Sequence, residues 1–115
     1  MIKPTDLTIR KVARSLKINI YNEEFRGKKR GRFCLTRRQL KTALGVERLR
    51  SETIQKLQDE ALEMGLVIID LDETFPCVEK DIVEKYRRPP AEVFSEYFPI
   101  NETDDFDMEN NENEE

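Results

Sequence analysis

Apolar residues recur at helical spacing in the first part of the chain. The helix-start residues Pro4 and Thr5 are followed by apolar positions one, three or four residues apart. This spacing puts side chains on one face of a helix. The apolar positions are Ile9, Val12, Ala13, Leu16 and Ile20. The pattern predicts a first helix over residues 5–20, with one face buried.

Two further helices are predicted, separated by a glycine. Thr36 and Gln39 have the spacing of a capping box, in which each side chain accepts a hydrogen bond from the other residue's backbone N–H. Gly45 is expected to end the short helix that follows, because glycine adopts a positive φ at little cost. The next helix is expected to end at Gly65. Its apolar stripe consists of Ile54, Leu57, Ala61 and Met64.

After Gly65 the sequence changes to a strand pattern. The segments LVIIDL and FPCV, separated by the turn residues DET, predict a hairpin over residues 66–79. Pro76 is expected at a sheet edge or a bulge, because it has no backbone N–H to donate. Cys34 and Cys77 lie in strand-like segments, and the chain has no histidine. Both are therefore interpreted as buried thiols rather than metal ligands.

Residues 35 to 79 combine these elements in a fixed order. They contain the start LTRRQL, a short helix, the tripeptide LGV, a long helix, the segment MGLV and a hairpin. This stretch of about 45 of the 115 residues resembles the winged helix-turn-helix domains of bacterial and phage transcription factors. With the first helix, the resemblance implies a mainly α fold with a three-helix core and a small β-hairpin. It also implies that the N-terminal part of the third helix enters the DNA major groove. The residues after the hairpin are expected to add short C-terminal helices and a disordered acidic tail.

The resemblance also implies which residues of the third helix contact DNA bases. These are Arg48, Arg50, Ser51 and Gln55. Arg is the usual bidentate partner of guanine and Gln of adenine, and Glu52 could accept a hydrogen bond from cytosine. A simpler interpretation of Glu52 is an ion pair with Lys56, four residues on. The link VERLRSE is long, so the helix is expected to start either near Glu47 or at a Ser51 cap.

Charge is divided unevenly along the chain. Residues 1–50 contain 15 Lys/Arg and 4 Asp/Glu, residues 51–100 contain 5 and 12, and residues 101–115 contain none and 8. The net charges of these segments are therefore +11, −7 and −8. Although the whole chain carries −4, its first half is expected to form a basic surface of its own.

The basic residues of that half are candidates for contacts with DNA phosphates. The segment RGKKRGR is expected to lie beside the helix N-terminus at Thr36 and to follow a phosphate backbone or enter a minor groove. A solvated loop and a nuclear localisation tract are the alternatives. The predicted phosphate contacts are Arg26, Lys28, Lys29, Arg30, Arg32, Thr36, Arg37, Arg38, Lys41 and Lys56. The acidic residues Asp70, Asp72 and Glu73 of the hairpin turn should repel phosphates. Either the hairpin points away from DNA, or this surface binds a protein.

Length and composition fit one small domain with C-terminal extensions. The winged helix domain is expected over residues 1–88, with a basic loop at 21–33 and a helix-turn-helix at 36–64. Residues 89–100 should form a short helix, whose apolar residues need a partner, either the core or a second subunit. These residues are Val93, Phe94, Tyr97 and Phe98. Residues 101–115 are expected to be a disordered acidic tail that could bind a protein partner.

These features predict a sequence-specific double-stranded DNA-binding protein, a transcriptional regulator of prokaryotic or phage origin. It is expected to be cytoplasmic, with no membrane span, no metal and no cofactor. The sequence lacks a nucleophile elbow, a phosphate loop and any histidine to act as a general base, so no enzymatic activity is expected. The alternative function is a protein-interaction adaptor, or a DNA mimic, that uses the winged helix and the acidic tail to bind a partner.

Overall fold

The computed structural model describes residues 3–23 and 31–99, which belong to two compact units, residues 1–85 and 86–115. The first unit is a mixed α/β domain with a three-stranded antiparallel sheet. Its elements are α1 (Asp6–Ser15), β1 (Phe33–Thr36), α2 (Arg37–Leu44), α3 (Ser51–Glu63), β2 (Leu66–Ile68), β3 (Thr74–Glu79) and α4 (Lys80–Glu84). The described part of the second unit contains α5 (Ala91–Tyr97). Strand β1, the strand-like segment around Cys34, adds to the expected hairpin as a third strand, so the fold is mixed α/β rather than mainly α with a hairpin alone.

The first helix begins at a hydroxyl cap and ends in a wider turn. The Thr5 hydroxyl accepts a hydrogen bond from the Thr8 N–H at 3.1 Å, which satisfies one of the free donors of the first turn. After α1 the chain continues as a π-helical segment, Leu16–Ile20, in which the Tyr21 N–H donates to the Leu16 carbonyl at 3.0 Å. Hydrogen bonding between residues five apart lets both Leu16 and Tyr21 reach the core, where both are buried.

Helix α2 begins with the capping box that the sequence predicts. The Thr36 hydroxyl accepts from the Gln39 N–H at 3.0 Å, and the Gln39 side-chain oxygen accepts from the Thr36 N–H at 2.9 Å. The helix ends at Gly45, whose φ of 71° is the left-handed conformation expected there. The cap and the glycine limit α2 to two turns, which bury Leu40 and Leu44.

Strand β3 lies at the centre of the sheet, with β1 and β2 on either side. Its inward-facing residues Phe75 and Cys77 are fully buried. The expectation that Pro76 would lie at a sheet edge or a bulge is therefore wrong. The Pro76 carbonyl accepts from the Ile69 N–H at 2.9 Å, and Ile69 follows the last residue of β2. The Pro76 nitrogen lies on the same side of β3 as its carbonyl and faces Ile69, so the one hydrogen bond that proline cannot donate lies just beyond the end of β2.

The register of β1 and β3 separates the two cysteines. Cys34 is paired with Pro76 and Cys77 with Phe33, so their side chains point to opposite faces of the sheet. Both thiols are free, Cys77 buried and Cys34 exposed. The prediction of a buried Cys34 is therefore wrong, because β1 has one solvent-exposed face. Burial, with a smaller contribution from Cys34, raises the pKa of the Cys77 thiol to about 12.

The core of the first unit lies between α1, α3 and the inner face of the sheet. Helix α3 contributes Ile54, Leu57 and Ala61, which are 4%, 0% and 0% exposed, respectively. Leu49, in the link before α3, is also buried and anchors that link to the core. The position of α3 is therefore fixed along its whole length by side chains that cannot leave the core without exposing apolar surface.

The Cys77 pKa predicts a specific loss of stability at alkaline pH. The thiol ionises near its ordinary value of 9.0 in the unfolded chain but only near 12 in the folded chain. The buried neutral thiol contributes fully to the free energy of unfolding below pH 9. This contribution is lost as pH rises toward 12, by at most about 1.4 kcal/mol per pH unit. Urea denaturation at several pH values should therefore show the stability advantage over Cys77→Ala shrinking above pH 9. An advantage that stays constant up to pH 12 would contradict this ionisation behaviour.

Candidate nucleic-acid interface

One side of α3 is joined by three ion pairs to α1 and to the residues just before it. Lys3 contacts Glu52 at 2.6 Å, Asp6 contacts Lys56 at 3.6 Å, and Arg10 contacts Glu60 at 3.4 Å. The partners advance by three or four residues on each helix, so α1 and α3 run side by side in the same direction. Exposed pairs of this kind stabilise the fold only weakly, but they occupy this side of α3.

The ion pairs change the roles expected for two residues of α3. The hydrogen bond and the charge of Lys3 hold the pKa of Glu52 below its usual value. The sequence favours a pair between Glu52 and Lys56, yet each contacts a residue near the start of α1 instead. Lys56, a predicted phosphate contact, therefore lies close to the Asp6 carboxylate, which partly offsets its charge.

A second side of the α3 N-terminus is open to solvent. We call it the α3 edge, and it consists of Arg48, Arg50, Ser51 and Gln55, all exposed. Neither Arg48 nor Arg50 forms an ion pair with another described residue. The Gln55 amide nitrogen donates to the Asp59 carboxylate at 3.0 Å. The first helical residue is Ser51 and the N-cap is Arg50, without a side-chain hydrogen bond, so the helix starts neither near Glu47 nor at a Ser51 cap. All four predicted base contacts lie in its first turns or just before it.

Arg37 connects three parts of the domain. Its guanidinium donates to the Asp72 carbonyl at 2.7 Å and to the Leu49 carbonyl at 3.2 Å, and it lies 3.6 Å from the Asp72 carboxylate. The Arg37 N–H also donates to the Glu73 carbonyl at 3.0 Å. We call these contacts the Arg37 bridge. The sequence predicts a phosphate contact for Arg37, and local patterns carry no signal for a bridge to residues so distant in the chain.

The Arg37 bridge fixes the acidic hairpin turn beside the α3 edge. Asp70, Asp72 and Glu73 are all exposed, and the carbonyls of Asp72 and Leu49 share one guanidinium. Asp72 has a φ of 74°, and its N–H donates to the Asp70 carboxylate at 2.8 Å. The turn is thus held by internal hydrogen bonds as well. Negative charge therefore stands close to the residues that precede α3.

Four further described cations of the first half lie on α1 and α2. Lys11 and Arg14 of α1 and Arg38 of α2 are exposed, and Lys41 of α2 is half-buried. None of these forms an ion pair with another described residue. Thr36, another predicted phosphate contact, uses its hydroxyl and its N–H in the capping box. The α1 and α2 surfaces therefore provide positive charge that no described acidic residue pairs with.

The basic segment RGKKRGR falls mostly outside the described residues. Arg26, Lys28, Lys29 and Arg30 are not described, whereas Arg32 is exposed. At the base of the segment the Gly31 N–H donates to the Tyr21 carbonyl at 2.9 Å, and the Tyr21 ring meets the edge of Phe33 with centroids 6.2 Å apart. Strand β1 separates Arg32 from α2, a distance of about 13 Å for four extended residues. The segment therefore does not lead directly into the α2 N-terminus.

The described ranges, 3–23 and 31–99, contain no cluster of Cys, Asp or Glu able to hold a metal ion. None of the helices in these ranges is both long enough and apolar enough to cross a membrane.

No protein-family model, curated protein or solved structure matches this chain. The resemblance of residues 35 to 79 to winged helix domains therefore stays a prediction from the sequence.

The Arg37 bridge predicts unequal roles for two adjacent arginines. Arg37→Ala should lower the free energy of unfolding by about 1.5 to 3 kcal/mol, because it removes hydrogen bonds from a charged donor to two carbonyls. Arg38→Ala is the matched control and should change it by less than about 0.5 kcal/mol, because Arg38 is exposed. Urea denaturation of both variants measures the difference. Equal losses of stability would show that the bridge does not hold the hairpin turn.

Proposed function

We propose that this chain binds double-stranded DNA in a sequence-dependent way through the α3 edge. It would act as a transcriptional regulator, of prokaryotic or phage type, by occupying a site on DNA, without catalysis and without a small-molecule cofactor. The observation that best supports this proposal is that the α3 edge is exposed to solvent while the rest of α3 is held in place by its neighbours. Both other sides of α3 are occupied, one by the core and one by α1.

The order of elements supports a winged helix arrangement. A first helix, a strand, two further helices and a hairpin follow in that order, and the first strand completes a sheet with the hairpin. In a helix-turn-helix protein the second helix of the motif contributes its N-terminal residues to the major groove. In this chain that helix would be α3, and those residues would be the α3 edge.

The chemistry of the α3 edge suits contacts with base edges. An arginine can donate two hydrogen bonds to guanine, and the amide of glutamine can both donate to and accept from adenine. Asp59 engages one N–H of the Gln55 amide, so the second N–H and the oxygen remain for a base. Arg50 and Gln55 are thus the residues that we expect to determine sequence preference.

Phosphate contacts are expected from cations outside the acidic turn. Arg38 and Lys41 lie one turn apart on α2, and Arg38 is exposed while Lys41 is half-buried. Neutralising phosphates releases condensed counterions, which supplies most of the affinity that does not depend on sequence. The basic segment around Arg26 to Arg32 is a second candidate source of such contacts, at the other end of β1.

Binding of a protein partner is the second candidate function. The acidic turn next to the α3 edge favours it, as do Asp59, Glu60 and Glu63 in the second half of α3. A phosphate backbone approaching this end of the domain would meet like charge, whereas a basic protein surface would be attracted. Failure to enrich any DNA motif would make this function the better explanation.

Single substitutions in the α3 edge should change sequence preference. Selection from a random duplex pool should enrich a motif for the unaltered chain, and Arg50→Ala or Gln55→Ala should relax the preference at one position. Removing a side chain that reads a base should weaken binding to the preferred site by about 1 to 3 kcal/mol. Arg14→Ala, an exposed arginine on α1, is the control and should keep the same motif. The absence of any enriched motif would refute sequence-specific binding.

Cations on α2 should set the salt dependence of binding. Replacing both Arg38 and Lys41 by Gln should weaken binding to all duplexes. It should also flatten the plot of log affinity against log salt, by roughly 0.9 for each phosphate that the variant no longer neutralises. Lys80→Gln, on α4, should leave the slope unchanged. Fluorescence anisotropy titrations at several salt concentrations would measure the slopes.

Neutralising Arg26, Lys28, Lys29, Arg30 and Arg32 together gives the same test for the basic segment. A slope identical to that of the unaltered chain would remove that segment from the interface.

A further inference from the structure

An open apolar groove lies between α1 and α2. It has a volume of about 710 Å³, and both helices, the π-helical segment and β1 line it. Its apolar lining consists of Val12, Leu16, Ile20, Leu35 and Ala43. Lys11 and Arg38 also line it, one from each helix. We call it the α1–α2 groove, and its chemistry fits an apolar side chain carried on an acidic segment.

A matching apolar surface is present on the second unit. In α5, Val93 and Tyr97 are four residues apart, as are Phe94 and Phe98 at the helix end, so the four side chains form one strip. They are 44%, 74%, 50% and 62% exposed, respectively. The Phe94 and Phe98 rings contact each other with centroids 4.9 Å apart. We call these residues the α5 strip.

We propose that the α1–α2 groove of one copy of this chain binds the α5 strip of a second copy. The exchange is reciprocal, so that each copy supplies one groove and one strip. A two-fold symmetric pair of this kind covers both apolar surfaces of both copies and leaves none to recruit a third. Such a pair requires that each copy expose both a groove and an apolar strip, and this chain carries both.

Charge complementarity favours this occupant. Lys11 and Arg38 at the groove have no ion pair with another described residue. The helix that carries the strip also carries Glu92 and Glu96, and eight further acidic residues follow it in residues 101–115. The groove and the C-terminal segment are thus of opposite charge, which aids association and fixes orientation.

The reciprocal arrangement removes apolar side chains of both copies from water. Three aromatic residues and a valine, each about half exposed or more, would contact a groove in each of two sites. This inference does not depend on DNA binding, since the association can be measured without DNA.

Sedimentation equilibrium of the full-length chain should show a reversible dimer. Phe94→Asp, which alters the strip, and Ala43→Glu, which alters the groove, should each raise the dissociation constant about 30-fold or more, the effect expected for a side chain at the centre of an interface. Neither residue is in the core, so both variants should keep the circular dichroism spectrum of the unaltered chain. Tyr86→Asp removes an equally exposed aromatic residue outside the strip and should leave the dissociation constant unchanged.

Mixing the two variants tests the pairing itself. A Phe94→Asp copy retains its groove and an Ala43→Glu copy retains its strip, so a mixture can form one intact groove-and-strip contact that neither variant forms alone. The mixture should therefore associate more tightly than either variant by itself. Three results would overturn the proposal: a monomer at every concentration, dimerisation of Ala43→Glu as strong as that of the unaltered chain, or no gain on mixing.

Discussion

The packing of α3 against both α1 and the sheet is the interaction on which the arrangement of the domain depends. Leu57 and Ala61 are fully buried, and Phe75 approaches the same core from the central strand. A helix fixed in this way has only a limited surface left for other contacts. The ion pairs with α1 occupy one flank, so the residues at the N-terminal end of α3 that are available for a partner are those of the α3 edge. The exposure of that edge is thus a consequence of the packing.

The Arg37 bridge adds an electrostatic constraint to this packing. One guanidinium holds the carbonyls of Leu49 and Asp72, and so places the acidic hairpin turn beside the start of α3. Lys11 and Arg14 of α1 and Arg38 of α2 are exposed cations without a described ion-pair partner, and they lie on these two helices rather than on α3. The first half of the chain carries a net charge of +11, yet its described cations do not form one continuous basic face at the α3 edge. Three of the predicted phosphate contacts, Thr36, Arg37 and Lys56, are engaged within the domain.

Features set by neighbouring residues could be predicted from the sequence. The capping box of Thr36 and Gln39 and the left-handed Gly45 depend on residues within one or two helical turns, and the structure confirms both. The hairpin depended on an equally local change of period. Contacts between distant segments could not be predicted. The pairing of β1 with β3, the exposure of Cys34 and the Arg37 contact across 35 residues all follow from register and packing that no local pattern encodes.

The acidic turn beside the α3 edge is compatible with the proposed function when affinity and specificity are considered separately. Phosphate attraction raises affinity for every duplex equally, whereas discrimination comes from base contacts. Negative charge held by the Arg37 bridge lowers the general attraction at this end of the domain and leaves the hydrogen-bonding groups of Arg50 and Gln55 unchanged. A site with correct bases would then stand out more clearly against other sequences. The cost is a lower affinity for a single domain, and two linked domains on adjacent half-sites would recover it, because the second domain then binds at a high effective concentration.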